Sequence, residues 1–193
     1  MGFALEKPLW TLEEYLAWEN VQETKSEFVD GEVFAMVGVR DRHNTVALNI
    51  AFALRTHLKG SGCRAYASDI KLMVEAAKSV FYPDVFVTCE QPSDPLIKKD
   101  ARLIVEVLSP STEAYDRGRK FGFYRALPGL SEYLLVSCDE PRVELYRRAA
   151  ENQWLLQEFL AGQSLALSSV GLTLAVSDIY EDVDFSAPAE GGA

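Results

Sequence analysis

The run Leu103-Ile104-Val105-Glu106-Val107-Leu108 constrains this chain more than any other stretch. It is rich in branched side chains and lacks polar alternation, the pattern of a central strand buried on both faces. One carboxylate interrupts it. An isolated ionised Glu106 would be expensive there, so it must be paired, protonated or bound to a metal. A second misfit stands upstream in Tyr82-Pro83-Asp84-Val85-Phe86-Val87. Pro83 biases Tyr82 towards extended geometry and suits the opening of a strand, so Asp84 stands where an apolar strand begins. Either Asp84 and Glu106 converge on one cation, or Asp84 is a strand-start carboxylate and Glu106 pairs with a lysine or arginine.

A chain of 193 residues with 48% hydrophobic content can bury the core of one α/β domain, expected over 1–185. The small, polar stretch 186–193 reads as a flexible C-terminal tail. The first residues lack a basic patch and an apolar signal core, and no apolar run approaches membrane-spanning length, so a cytoplasmic protein is expected. Cys63, Cys89 and Cys138 are odd in number and form no CxxC pair, which predicts three reduced thiols. The net charge of −10 argues against broad attraction to phosphate backbones. It leaves room for a local basic patch, and part of it can belong to a site that a divalent cation neutralises.

In chain order, Thr11-Leu12-Glu13-Glu14 is a capping box opening a short helix through Glu19. Asp30-Gly31 is a two-residue turn between apolar arms, so Glu27 to Met36 reads as a hairpin, with Glu27 a solvated edge residue unless the site recruits it. From Arg42 to Lys59 the apolar residues Val46, Ile50, Ala53, Leu54 and Leu58 recur at helical spacing, with Gly60 as the stop. His43 falls in the first turn of that helix, where a cap or a solvated position competes with a functional one. His57, late in the helix, complements its dipole. Strands are expected at Cys63 to Ala67, Ile70 to Glu75 and Ser79 to Thr88. Asp69 and Lys71 flank one apolar residue and would share a strand face, as a cross-strand ion pair or as a supporting pair near Asp84.

The polar stretch Gln91 to Asp100 reads as a surface loop before the Glu106 strand. Ser109-Pro110-Ser111-Thr112 ends that strand and starts a helix of about four turns running to Leu127. On it Glu113, Asp116, Lys120 and Tyr124 are three or four apart and share one face. As a solvated i,i+4 pair, Asp116 and Lys120 would contribute only about 0.3–0.5 kcal/mol. As part of a site, Lys120 would point to the ends of the Asp84 and Glu106 strands. Arg117, Arg119 and Arg125 make this the most basic segment, a candidate phosphate contact or an ordinary solvated face. Further strands are expected at Glu132 to Ser137, Arg142 to Arg147 (an edge or half-exposed strand) and Trp154 to Leu160. Leu165-Ala166-Leu167 and a short helix near Asp178 to Val183 follow.

The ordered set Glu27-Phe28-Val29-Asp30-Gly31, His43-Asn44, Tyr82-Pro83-Asp84-Val85, Val105 to Thr112, Asp116-Arg117-Gly118-Arg119-Lys120 and Glu132 to Val136 resembles the Uma-type family of restriction endonucleases, in the PD-(D/E)XK nuclease superfamily. The likeness runs from Thr11 to Arg148. It implies an α/β (α+β) restriction-endonuclease-like core, a mixed β-sheet flanked by helices, around a divalent-metal phosphodiesterase centre. Asp84 matches the motif aspartate and Glu106 the motif acid. The motif lysine would fall at position 108, which here is Leu108; the family is similar to ones in which it has migrated to the next helix, here Lys120. Glu27 resembles an additional acid contributed from an early element. The implied ligands of Mg²⁺ or Mn²⁺ are Asp84, Glu106 and the backbone carbonyl of Val107, with Lys120 catalytic and Glu27, Asp69 and His43 auxiliary. DNA is the implied partner, RNA is left open, no membrane is involved, and two copies would pair as a homodimer by analogy. The alternative is a catalytically inactive nuclease fold that binds nucleic acid or protein, and a metal-dependent hydrolase of another substrate comes third.

Overall fold

The strand around Glu106 lies between a parallel neighbour, Glu132–Ser137, and an antiparallel one, Val85–Thr88, as a strand buried on both faces requires. The computed structural model describes residues 9–36, 38, 40–90, 94–150 and 153–186. In chain order the first half forms α1 (Leu12–Glu19), β1 (Ser26–Val29), β2 (Glu32–Ala35), α2 (Asp41–His57), β3 (Arg64–Ala67), β4 (Lys71–Val74), β5 (Ser79–Phe81) and β6 (Val85–Thr88). There follow β7 (Ile97–Lys98), β8 (Leu103–Leu108) and α3 (Glu113–Tyr115), which runs through a π-helical turn (Asp116–Lys120) into α4 (Phe121–Tyr124). The chain closes with β9 (Glu132–Ser137), β10 (Arg142–Ala150), β11 (Gln153–Leu160), β12 (Ser164–Leu167), β13 (Leu172–Ala175) and α5 (Val176–Ile179).

These strands make a mixed six-stranded sheet ordered β11-β10-β9-β8-β6-β3, a five-stranded sheet ordered β2-β1-β5-β4-β7, and the hairpin β12-β13. The period of two along each strand divides the core into layers. Leu103, Val105 and Val107 of β8 face α2, which buries Val46, Ile50, Leu54 and Leu58 at its expected spacing, together with the β12-β13 hairpin and α5. Ile50 and Leu54 are fully buried, each worth about 1.5–3 kcal/mol relative to exposure. Ile104 and Leu108 point the other way, into a core shared with α4 and with Val29, Leu72, Val74 and Phe81 of the five-stranded sheet. The far face of that smaller sheet, Phe28, Met73 and Val80, is covered by Tyr15 of α1. Thr11 caps α1 in the expected box with Glu14, and the β1-β2 turn holds Asp30 and Gly31 at φ 49° and 88°, the left-handed pair a two-residue hairpin needs.

Several expectations are corrected. Ser79 to Thr88 is not one strand: β5 belongs to the smaller sheet and β6 to the larger, and the chain changes sheet across Tyr82-Pro83-Asp84. Pro83 has no N–H to donate, so a ladder through it would be broken. Of the two readings of Arg142 to Arg147, edge or half-exposed, the edge one fails: β10 is partly exposed but lies between β9 and β11, and β11 is the edge on that side. The stretch read as a surface loop contains β7, which pairs in parallel with β4 and is buried; residues 91–93 of it lie outside the described residues. Cys63 precedes β3 and Cys89 follows β6, and the register Arg64↔Thr88 makes them the next facing pair. They form a disulfide, which leaves Cys138, buried, as the free thiol. Strand β13 went unread because Leu172-Thr173-Leu174-Ala175 is short. The expected tail lies outside the described residues apart from Ser186. No helix among the described residues is long and apolar enough to cross a membrane.

Candidate active site

The change of sheet at Pro83 creates the site. β6 and β8 run antiparallel with Val85 opposite Val105, so the next step of the register sets Asp84 opposite Glu106. Both are even-numbered positions of strands whose odd positions face α2, and both therefore point between the two sheets. The Asp84 N–H donates to Glu106 Oε2 at 3.4 Å, and Asp84 Oδ2 accepts from the Val107 N–H at 2.8 Å. The N–H and C=O of one strand residue point to the same side, so the Val107 carbonyl lies on the edge of β8 that Asp84 occupies.

Glu27 arrives from the other sheet. Its neighbour Phe28 faces α1, so Glu27 alternates to the inner face, where Oε1 accepts from the Tyr82 N–H at 3.3 Å. It is no solvated edge residue. The helix after β8 brings Asp116, Lys120 and Tyr124, all buried, while Glu113 turns outward and pairs with Arg117. The π-helical turn widens this helix, so that Lys120 and Phe121 are both buried although adjacent. The Lys120 ammonium lies 3.0 Å from Glu106 Oε1, 3.1 Å from Glu27 Oε1 and 3.7 Å from Asp116 Oδ1. Tyr124, fully buried, donates its hydroxyl to Glu106 Oε1 at 2.7 Å. His43, in the first turn of α2, is buried with Nε2 3.3 Å from Asp84 Oδ2.

Three carboxylates thus share one lysine, with Asp84 beside Glu106. Burial pushes the Glu106 carboxyl up and Lys120 opposes this, but Asp84, Asp116 and Glu27 add to the rise and leave it well above the usual range. Burial also raises Asp116, against the opposing pull of Lys120 and of the Thr112 hydroxyl. For Lys120 burial acts downward, yet Glu106, Glu27, Asp116 and Asp84 outweigh it and hold the ammonium well above the usual lysine range. Lys120 stays charged. Tyr124 is pushed up by burial and then by Glu106, so it remains a phenol that donates.

The donor chemistry fits a hard divalent cation. Asp84 and Glu106 supply carboxylate oxygens and Val107 a carbonyl, and the local excess of negative charge is what a cation offsets. Among the described residues no group of three or more His, Cys, Asp or Glu side chains is arranged to hold a metal.

Not every expected residue is brought in. Ser68 turns left-handed at φ 53° and β4 starts at Lys71, so the alternation does not reach Asp69. The Asp69 carboxylate is exposed and paired with Lys25, and Lys71 is buried against Glu19 at 2.6 Å and Asn20 at 2.9 Å. Asp69 therefore supports neither Lys71 nor the site. Arg117 is committed to Glu113 and Glu144, while Arg119 and Arg125 are exposed over the Phe123 and Phe121 rings. Sequence reasoning passed over Tyr124 as a donor to Glu106; its spacing of four from Lys120 was the signal.

A profile of the Uma2 family, described as "Putative restriction endonuclease", matches residues 12–177. The chain belongs to the Uma2 family. The match extends past the likeness seen in the motifs and takes in β12, β13 and the start of α5. Two Synechocystis sp. proteins of uncharacterized function are similar along their length. The protein slr1290 is 39% identical over 184 residues, covering 92% of this chain and 95% of its own. The protein sll1609 is 37% identical over 154 residues, covering 78% and 87%. The crystal structure of "a putative nuclease belonging to DUF820" from Anabaena variabilis superposes with a TM-score of 0.75, covering 89% of this chain and 98% of that one at 18% identity. That likeness shows a shared mixed α+β fold.

Proposed function

We propose that this Uma2-family chain is a Mg²⁺- or Mn²⁺-dependent endonuclease that hydrolyses phosphodiester bonds of DNA. The observation that carries the reading is the convergence of Glu106, Glu27 and Asp116 on Lys120, with Asp84 against Glu106, at the point where the chain passes between sheets. Asp84, Glu106 and the Val107 carbonyl would hold the cation. When bound, such an ion polarises a phosphate oxygen and lowers the pKa of a coordinated water. Lys120, kept charged by its neighbours, orients that water and stabilises the negative charge that develops on the phosphate. Glu27 and Asp116 hold Lys120 in place for this task, and the apolar walls of both sheets keep bulk water from weakening these interactions.

The test is cleavage of plasmid DNA and of single-stranded RNA by the purified chain with Mg²⁺ or Mn²⁺, beside the Asp84→Ala and Glu106→Ala variants. Metal-dependent cleavage of DNA that both substitutions abolish supports the reading; equal activity in all three preparations refutes it. One observation favours a second reading, an inactive fold that binds nucleic acid or protein. Lys120 already lies on Glu106, which a purely structural ion pair would also require. That reading predicts no thermal stabilisation by Mn²⁺, whereas a ligand bound only to the native state must stabilise it.

A further inference from the structure

The two acids at the centre of the site are each held by one oxygen. Asp84 Oδ2 accepts from the Val107 N–H and faces His43 Nε2, while Oδ1 has no hydrogen-bond partner among the described residues. Glu106 Oε1 accepts from the Tyr124 hydroxyl and faces the Lys120 ammonium, while Oε2 takes only the long 3.4 Å bond from the Asp84 N–H. His43 and Tyr124 come from different elements and have no shared structural task. A neutral imidazole carries one N–H. His43 Nδ1 is buried without a partner, while Nε2 lies 3.3 Å from Asp84 Oδ2, so an N–H on Nε2 is the one with an acceptor in reach. The Tyr124 ring is fixed edge-on to Phe81, centroids 5.0 Å apart, and packs on Tyr133, which aims the hydroxyl at one carboxylate oxygen.

We propose that His43 and Tyr124 are positioning residues: by donating to Asp84 Oδ2 and Glu106 Oε1 they present Asp84 Oδ1 and Glu106 Oε2 to one divalent cation. The assignment rests on the metal-dependent reading above. It differs from a role in stability, because a hydrogen bond that merely satisfies a buried group leaves the metal affinity of the folded protein unchanged. It also specifies which imidazole nitrogen matters. The amide nitrogen of glutamine reaches the place of Nε2, and that of asparagine the place of Nδ1.

The experiment is titration of the full chain with Mn²⁺ by calorimetry, alongside the thermal midpoint of the metal-free protein, for wild type and for Tyr124→Phe, His43→Gln, His43→Asn and Asp84→Ala. Partners behind metal ligands typically contribute about 10–100-fold in affinity. Tyr124→Phe and His43→Asn should therefore weaken Mn²⁺ binding by about tenfold or more, and His43→Gln should rescue it. Wild-type affinity in Tyr124→Phe and His43→Asn overturns the proposal, as does a His43→Gln variant as weak as His43→Asn. Should His43→Asn fail to fold, Tyr124→Phe, which keeps the ring, decides alone. If wild type binds Mn²⁺ no better than Asp84→Ala, the metal-dependent reading itself falls. Binding lost in Asp84→Ala but intact in the other variants refutes the positioning roles alone.

Discussion

Replacing Lys120 by methionine removes the ammonium that Glu106, Glu27 and Asp116 share, while keeping most of the buried stem. Lys120 is 7% exposed and Glu106 3%, so the carboxylates left behind cannot recruit water in its place. Removing one partner of a buried ion pair costs about 3–5 kcal/mol, because the charge left unpaired remains buried. The same Asp116–Lys120 spacing on a solvated helix face would cost only about 0.3–0.5 kcal/mol. The tenfold gap separates a buried site from an ordinary helix surface. For a domain of this size each kcal/mol shifts the thermal midpoint by about 2–4 °C, so a loss of roughly 6–20 °C is expected. The assay is urea and thermal unfolding near neutral pH with a chelator present. Lys99→Met serves as the control, since the Lys99–Glu75 pair is exposed and its loss should leave the midpoint in place. A Lys120→Met variant within about 1 kcal/mol of wild type would refute the reasoning.

Other predictions concern the scaffold and the displaced lysine. Glu132 is fully buried and accepts hydrogen bonds from Arg147, Ser168 and Ser169. Burial pushes its carboxyl up, but the bonds from Ser169, Arg147 and Ser168 outweigh it and hold the pKa below 4.5. A folded pKa below the unfolded one gives stability that is complete above 4.5 and lost as pH falls through the folded value. Glu132→Gln should thus cost about 1.5–3 kcal/mol near neutrality. In denaturation series the gap to wild type should close below that pH by at most about 1.4 kcal/mol per unit; a gap that stays constant into acid contradicts this. Reducing the Cys63–Cys89 bridge, 26 residues apart, should cost about 3.5 kcal/mol in urea unfolding. Alkylating the unfolded, unreduced chain should tag one thiol, and three tags would contradict the bridge. Lys120→Met should lower kcat by about 10²–10³. Adding Leu108→Lys, on the strand face of Glu106, should recover part of it in the same cleavage assay, and no recovery would show that the position as well as the charge is required.

What the sequence revealed was local. Glu106 was legible because a charge among Leu103, Ile104, Val105, Val107 and Leu108 violates the cost of burying an unpaired ion. The capping box at Thr11, the Asp30-Gly31 turn and the spacing of Val46, Ile50 and Leu54 were legible because each rests on contacts within a few residues. What depended on register was not. The Cys63–Cys89 bridge arises from the pairing of β3 with β6, and nothing in a separation of 26 residues signals it. Asp69 was misplaced because strand alternation was carried back from Lys71 through Ile70, whereas the strand begins only at Lys71, just past the left-handed turn at Ser68. The sheet change at Pro83 was half visible: the proline marked a strand start, yet the residues before it were joined to the same strand. That single break brings Glu27 from one sheet to Lys120 beside the other.

The central claim is that Asp84 and Glu106 share a divalent cation with Lys120 at its side. Crystals of the wild-type chain grown with Mn²⁺ and measured at the manganese edge test it most directly. The account predicts one anomalous peak about 2.0–2.6 Å from an oxygen of each carboxylate and from the Val107 carbonyl. An empty site, or a peak bound to other residues while Lys120 alone occupies this one, would contradict it.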